Sequence, residues 1–300
     1  MSLDLDDRQR AMLKEMGVRV WWPKAAPIEA LSPPSEAAEK PDKSKNTLNN
    51  DDITRDFSSN KVADYINNTR LKLVFKPEKT TDITYSGTGV SVETLTWPAL
   101  QQTVAACRAC ALCEGRTQTV FGVGQPPVDD AAAPQIDWLI VGEAPGENED
   151  RVGEPFVGQA GQLLDNMLKA MKLSRQQNLY ITNVIKCRPP GNRNPSPQEV
   201  AQCEPYLHQQ IALLRPKMIL ALGKFAATSL LRATVPEVDK MPLGKLRGQV
   251  HSYSHGGLTV PVVASYHPAY LLRSLSEKAK SWADLCLALE AMAQQPPTPG

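Results

Sequence analysis

From about residue 97 onward the chain alternates between two hydrophobic rhythms. IDWLIVG (136–142), NLYITNVIKC (178–187), KMILALG (217–223) and VPVVASY (260–266) are short and apolar at nearly every position, the pattern of strands buried on both faces. Between them the apolar residues return at helical spacing. In GQLLDNMLKAMKL, Leu164, Met167, Leu168 and Met171 share one stripe, and KFAATSLLRA reads as a second helix. A third starts after Ser196, where Pro197 takes the first helical position and Glu199 completes an S-x-x-E capping box; Pro216 lies past its other end. Strands and helices in alternation predict an α/β fold: a three-layer doubly wound sheet, mostly parallel and four-stranded, with helices on both faces. Ligands of such sheets bind beyond the carboxyl ends of the strands.

Residues 1–95 have no such rhythm. A short amphipathic motif, DRQRAMLKEMGVRVWWP, leads into AAPIEALSPPSEAAEKPDKSKNTLNNDD, a Pro, Ala and charge-rich linker that buries too little apolar surface to offset its ordering entropy. The expected organisation is a largely disordered N-terminal extension over 1–95, one main domain over 96–292 and a disordered tail over 293–300. Trp21 and Trp22 are a candidate anchor for a protein partner.

At 300 residues and 42% apolar composition, one sizeable core is the default. No run approaches the roughly 18–20 apolar residues of a membrane span, and MSLDLDDRQR lacks the basic and apolar regions of a signal peptide. A cytoplasmic monomer with no membrane partner is expected. The net charge of +1 signals no polyanion partner by itself, so nucleic-acid contacts must be sought locally.

Six cysteines are too few and too unevenly spaced for a disulfide scaffold. Cys107, Cys110 and Cys113 form one group, Cys187 and Cys203 flank a stiff proline loop, and Cys286 reads as a core residue on an apolar helix. Cys203 falls in the second turn of the helix begun at Pro197, on the face of Leu207, Ile211 and Leu214. With Cys107 and Cys110 the loop pair supplies four thiolates, a set suited to zinc or to an iron–sulfur cluster. The long gap between Cys187 and Cys203 fits paired zinc knuckles poorly. CRACALC also reads as C-x2-C-x2-C, so spacing alone leaves Cys113 open as a ligand.

The strand-end rule brings GEAPGENED, Asn183, Gly223, Lys224 and SYHPAYLLR to one rim, where Glu143, Asn183 and His267 offer a carboxylate, an amide and an imidazole to a polar ring. G-x-x-x-x-G-K-[ST] is absent, which argues against nucleoside triphosphate hydrolysis.

Four blocks in order, CRACALCEGRTQTVFGVG, GEAPGENEDRVGEPFVGQAGQLLD, YITNVIKCRPPGNRNPSPQEVAQC and HPAYLLR, resemble the family-four uracil-DNA glycosylases, the iron–sulfur branch of that superfamily, from about Trp97 to Glu290. The resemblance implies a 4Fe-4S cluster on Cys107, Cys110, Cys187 and Cys203, with Cys113 spare. It implies a uracil pocket of Glu143, Ala144, Phe156, Asn183 and His267, with Glu149, Asp150 and Asn192 in support, acting on uracil-containing DNA in base excision repair. The base must be flipped out of the duplex at a cost of a few kcal/mol. Phe156 would stack on it, the Asn183 amide would read N3–H and O4, His267 would donate to the charge developing on O2, and Glu143 would orient water.

Phosphates would be met by Arg188, Arg193, Lys245, Arg247, Arg273, Lys278 and Lys280, with Leu271 and Leu272 wedged into the vacated stack. One rival reading is a non-catalytic iron–sulfur protein that binds nucleic acid or senses redox state on the same fold. Another, a glycosylase bonded covalently to DNA through a histidine loop, is disfavoured because no histidine lies between Cys187 and Pro195.

Overall fold

A computed structural model of the chain describes residues 91–128 and 136–295. In chain order the elements are α1 (Trp97–Ala106), α2 (Leu112–Gly115), β1 (Val123–Gly124), β2 (Trp138–Gly142), α3 (Glu147–Val152), α4 (Gln159–Ala170), β3 (Leu179–Asn183), α5 (Pro197–Leu214), β4 (Met218–Leu222), α6 (Lys224–Leu231), α7 (Leu243–Leu246), β5 (Val250–His255), β6 (Leu258–Ser265), α8 (Pro268–Arg273) and α9 (Lys278–Ala293).

The sheet has six strands in the order β1-β3-β2-β4-β6-β5. The inner four are parallel, while β1 runs antiparallel to β3 and β5 antiparallel to β6. The expectation of four strands is thus corrected by two edge strands, each hidden from hydrophobic pattern for its own reason. β1 is only two residues long, and β5, VHSYSH, buries Tyr253 alone. The apolar run over 178–187 also outlasts its strand. β3 stops at Asn183, and the next two residues bond back to the chain leaving β2, Val184 N–H to the Gly142 carbonyl and Ile185 N–H to the Glu143 carbonyl.

Side-chain alternation along the inner strands builds two cores. Leu139, Val141, Ile219, Ala221, Val262 and Ala264 face the helices α1, α5 and α6; Trp138, Ile140, Ile181, Leu220 and Val263 face α4, α8 and α9. A sheet whose both faces are apolar needs cover on both, which gives the three layers. Packing reaches back to Val92, 8% exposed in the first core, a few residues before the expected boundary at 95/96. The expected disordered extension and the Trp21-Trp22 motif lie outside the described residues, as does most of the expected tail.

Because β2 lies between β3 and β4, the chain leaves the carboxyl ends of β2 and β4 toward opposite faces of the sheet. The crevice this opens is where doubly wound sheets place ligands. Among the described residues no helix is long and apolar enough to cross a membrane.

Candidate functional site

A cleft of about 680 Å³ lies at that crevice, lined among others by Glu143, Ala144, Phe156, Asn183 and His267. This volume lies in the range of small-molecule sites. Each wall has a local cause.

Glu143 follows the last residue of β2. Burial raises its carboxyl to about 7, so near neutrality it carries a proton part of the time. Asn183 closes β3 and is 2% exposed, and its side-chain oxygen Oδ1 is buried with no hydrogen-bond partner among the described residues. An unpaired buried acceptor costs about 1–3 kcal/mol and is uncommon enough to require a reason. Gly142 makes room for it. A Cβ at that position would collide with Asn183 Oδ1 and with the Phe156 ring.

Phe156 sits at φ 57°, a left-handed conformation that a bulky residue adopts only under constraint. The constraint is visible on both sides. Arg175 donates 3.0 Å to the Pro155 carbonyl and 2.7 Å to the Phe156 carbonyl, and is itself held by Asp165 at 2.6 Å. Glu149 accepts from the N–H groups of Val157 at 2.9 Å and Gly158 at 3.0 Å. Its other oxygen caps α3 by accepting from Gly146 N–H at 3.1 Å. Glu149 lines the cleft with its carboxylate occupied by backbone N–H groups, and so holds the loop that carries Phe156. Asp150, 4% exposed, does comparable work by accepting Thr117 N–H on both oxygens at 3.0 Å.

His267 caps α8. Its Nδ1 accepts from Ala269 N–H at 3.2 Å, which leaves the proton of the neutral ring on Nε2. Burial, helped by the nearby Arg273 charge, lowers its pKa to about 4. The ring stacks on Phe156 with centroids 5.4 Å apart. At neutral pH the cleft thus offers an uncharged N–H donor beside an aromatic wall and an unsatisfied amide oxygen.

The rim corrects several expectations. Arg193 is bound to Glu199 through two contacts, 2.9 and 2.6 Å, and Glu199 also caps α5 by accepting Ser196 N–H at 2.7 Å. Arg247 pairs with the buried Asp284 at 2.7–2.8 Å and lies 4.3 Å over the Tyr266 ring. Both arginines brace the rim, because each already has a carboxylate partner. Leu271 is 0% exposed in the second core, so the wedge expectation survives only for Leu272, 40% exposed. Lys278 is buried and Lys280 pairs with Glu277. Arg188 donates 2.7 Å to Asn192 Oδ1 and reaches Glu147 at 3.1 Å, so Asn192 borders the cleft with its oxygen engaged. Lys224, Arg273 and Tyr270 are exposed at the cleft mouth. Sequence reasoning passed over Gly142, Arg175 and Tyr270. Gly142 and Tyr270 had a signal, their places within GEAPG and HPAYLLR; Arg175 had none.

A second, smaller cavity lies against α1, α2 and α5. Cys107, Cys110, Cys113, Cys187 and Cys203 line it, together with Arg116 and Lys186. Burial pushes the Cys110 and Cys187 thiols up and Cys203 to about 12. Two N–H groups already face sulfur: Arg116 donates to Cys187 Sγ at 3.2 Å and Lys186 N–H to Cys203 Sγ at 3.3 Å. Among the described residues no three His, Cys, Asp or Glu side chains are drawn together as around a single ion. The thiols ring a small cavity, and their donor set suits zinc or an iron–sulfur cluster. Cys286 is not among them and packs with the second core, as expected.

Comparison with known proteins places these features in a family. Residues 130–287 match the uracil DNA glycosylase superfamily. The chain is 41% identical over 169 residues to the type-4 uracil-DNA glycosylase of Archaeoglobus fulgidus, covering 56% of this chain and 79% of that protein. It is 38% identical over 188 residues to the type-4 uracil-DNA glycosylase of Pyrobaculum aerophilum, covering 63% and 90%. A third type-4 enzyme, from Sulfurisphaera tokodaii, is 38% identical over 173 residues, covering 58% and 74%.

Proposed function

The chain belongs to the uracil DNA glycosylase superfamily, and from that premise we propose that its cleft receives a uracil turned out of DNA and that the enzyme hydrolyses the bond joining the base to deoxyribose. The observation that carries the reading is the buried, unpartnered Asn183 Oδ1. Uracil presents a donor at N3 and an acceptor at O4, which the Asn183 amide complements. Cytosine presents an acceptor at N3, which would face Oδ1 oxygen to lone pair. A site made to satisfy a donor rejects the analogue that lacks it.

The chemistry follows from the groups present. The C1′–N1 bond breaks with its electron pair passing to the base, and a water oxygen bonds to C1′ while its proton passes to the Glu143 carboxylate. His267 Nε2–H donates to O2 of the departing base, where the negative charge collects. Such a preorganised donor is worth about 3 kcal/mol in a water-poor site. Phe156 holds the ring plane. Glu149, Arg175 and Gly142 act by keeping Phe156 and Asn183 in place.

The cysteine cavity fits the family's cluster in its donor set: thiols on three segments and two N–H groups aimed at sulfur. We assign Cys107, Cys110, Cys187 and Cys203 as ligands of a 4Fe-4S cluster, with Cys113 spare. When bound, the cluster supplies a covalent cross-link between the segment after α1, the loop after β3 and α5, because hydrolysis moves no electrons. Lys224 and Arg273 would meet phosphates, Arg188 would do so by exchanging Glu147 for phosphate, and Leu272 would enter the stack. The enzyme is taken to act as a cytoplasmic monomer in base excision repair.

The reading is tested by alkali-dependent cleavage of a labelled oligonucleotide bearing one uracil. The wild type should release uracil, while Asn183→Ala and His267→Ala should each lose about 10²-fold or more in kcat/KM and keep their visible cluster absorbance. A cluster-loaded wild type that binds DNA without releasing base would favour a non-catalytic binding role.

A further inference from the structure

Lys186 lines the cysteine cavity and bonds to the backbone of Asn183, a residue that lines the cleft. The lysine side chain is 1% exposed, and Nζ lies 2.7 Å from Thr182 Oγ1, 2.7 Å from the Asn183 carbonyl oxygen and 2.6 Å from Gln210 Oε1. As an ammonium, its three N–H donors match the three oxygens. None of the three is a carboxylate. A buried cation held only by neutral dipoles is costly, and the cost is relieved only where an anion lies close.

The other side of the residue supplies the candidate. Lys186 lines the cysteine cavity, its backbone N–H donates to Cys203 Sγ at 3.3 Å, and the next residue is Cys187. Thiolates gathered on a metal centre would place negative charge against it. The oxygens it grips belong to the end of β3. Thr182 and Gln210 are themselves tied to the Phe121 carbonyl at 2.8 and 3.0 Å, so Lys186 holds the Asn183 carbonyl from an anchored pair of oxygens.

We propose that Lys186 is a positioning residue that fixes Asn183 for uracil, with the cysteine-held centre as its counter-charge, so that occupancy of one cavity sets recognition in the other. This rests on the reading of the cleft given above. It assigns the centre a consequence for base selection beyond cross-linking.

The test compares cluster-loaded wild type, Lys186→Met and Gln210→Leu. Methionine keeps the length of the stem and removes the charge; leucine leaves the ammonium one oxygen short without entering either cavity wall at the cysteines or the cleft. Three quantities are read: iron content, the reduction potential of the centre, and affinity for radiolabelled free uracil by equilibrium dialysis. Lys186→Met should retain iron, shift the potential in the negative direction because a cation has gone, and bind uracil about tenfold more weakly, the loss of one positioned hydrogen bond. Gln210→Leu should weaken uracil about threefold, a partial loss of the same bond. An unchanged potential in Lys186→Met overturns the charge pairing, and uracil affinity within twofold of wild type overturns the positioning role. If Lys186→Met does not fold, unchanged uracil affinity in Gln210→Leu overturns the proposal. Should the wild type itself bind no uracil, the reading of the cleft falls, while the potential still decides the pairing.

Discussion

The oxygen of Asn183 has no hydrogen-bond partner among the described residues, so in the free enzyme it counts against stability, and on the proposed reading the base that enters the cleft satisfies it. Glu143 and His267 set the pH range in which that entry leads to reaction. Burial lifts Glu143 to about 7, so its carboxylate form gains population as pH rises through that value. His267 sits near 4 and stays a neutral donor throughout the neutral range. The kcat/KM of the wild type should therefore rise with pH and level off above about 7, with no second inflection from His267 between pH 5 and 8. Glu143→Gln should be slow and flat across the same range, and a pH–rate series on the uracil oligonucleotide checks both. The stability effect has the opposite sign. An acid whose folded pKa is raised costs stability as pH climbs from its unfolded value through its folded one, so Glu143→Gln should be the more stable protein at pH 8, by on the order of 2 kcal/mol, and no better at pH 5. Urea unfolding at the two pH values measures it.

Elements supply what the residues need: rigid ends. Gly142 ends β2 where a side chain would strike both Asn183 and Phe156. Gly142→Ala should fold with an unchanged far-ultraviolet dichroism spectrum yet lose excision by about 10²-fold or more, since small displacements of positioned groups are costly to rate. The start of α5 illustrates an end held by charge. Glu199 accepts Ser196 N–H at 2.7 Å and pairs with Arg193 at 2.6 and 2.9 Å, and that pair draws its carboxyl down to about 2. Its contribution is present above the ordinary carboxylate range and lost as pH falls toward 2. Glu199→Ala should lower stability by about 1–2 kcal/mol at pH 7, the worth of a cap, with little change in kcat. Thermal unfolding and excision assays on one preparation separate the two.

At the scale of the molecule, two cavities are built on one sheet, and the family match spans 130–287 with relatives covered over 74–90% of their length by about 60% of this chain. Removing residues 1–90 should leave uracil excision intact; complete loss would make that segment part of the enzyme. The parts of this architecture legible beforehand were those fixed by local chemistry. Four strands showed because each is apolar at nearly every position, and the α5 start showed because a capping box and a first-turn proline are read within four residues. The cleft residues showed because they follow strand ends. Partnership did not show. Leu271 and Leu272 are adjacent and alike, yet one is core and the other exposed, a difference set by which face α8 presents to α4 and α9. Arg193 and Arg247 looked free until carboxylates 6 and 37 positions away were found against them. The sequence by itself determined the alternation of elements, the strand ends that carry Glu143, Asn183 and His267, and the supply of thiols, because periodicity, capping and residue type act over short spans of chain. Only the tertiary structure decided which cations are already paired, why Phe156 can hold a left-handed backbone, and that Lys186 bonds the Asn183 backbone from beside the cysteine cavity, because burial and electrostatic pairing depend on distances between segments that the order of residues does not encode.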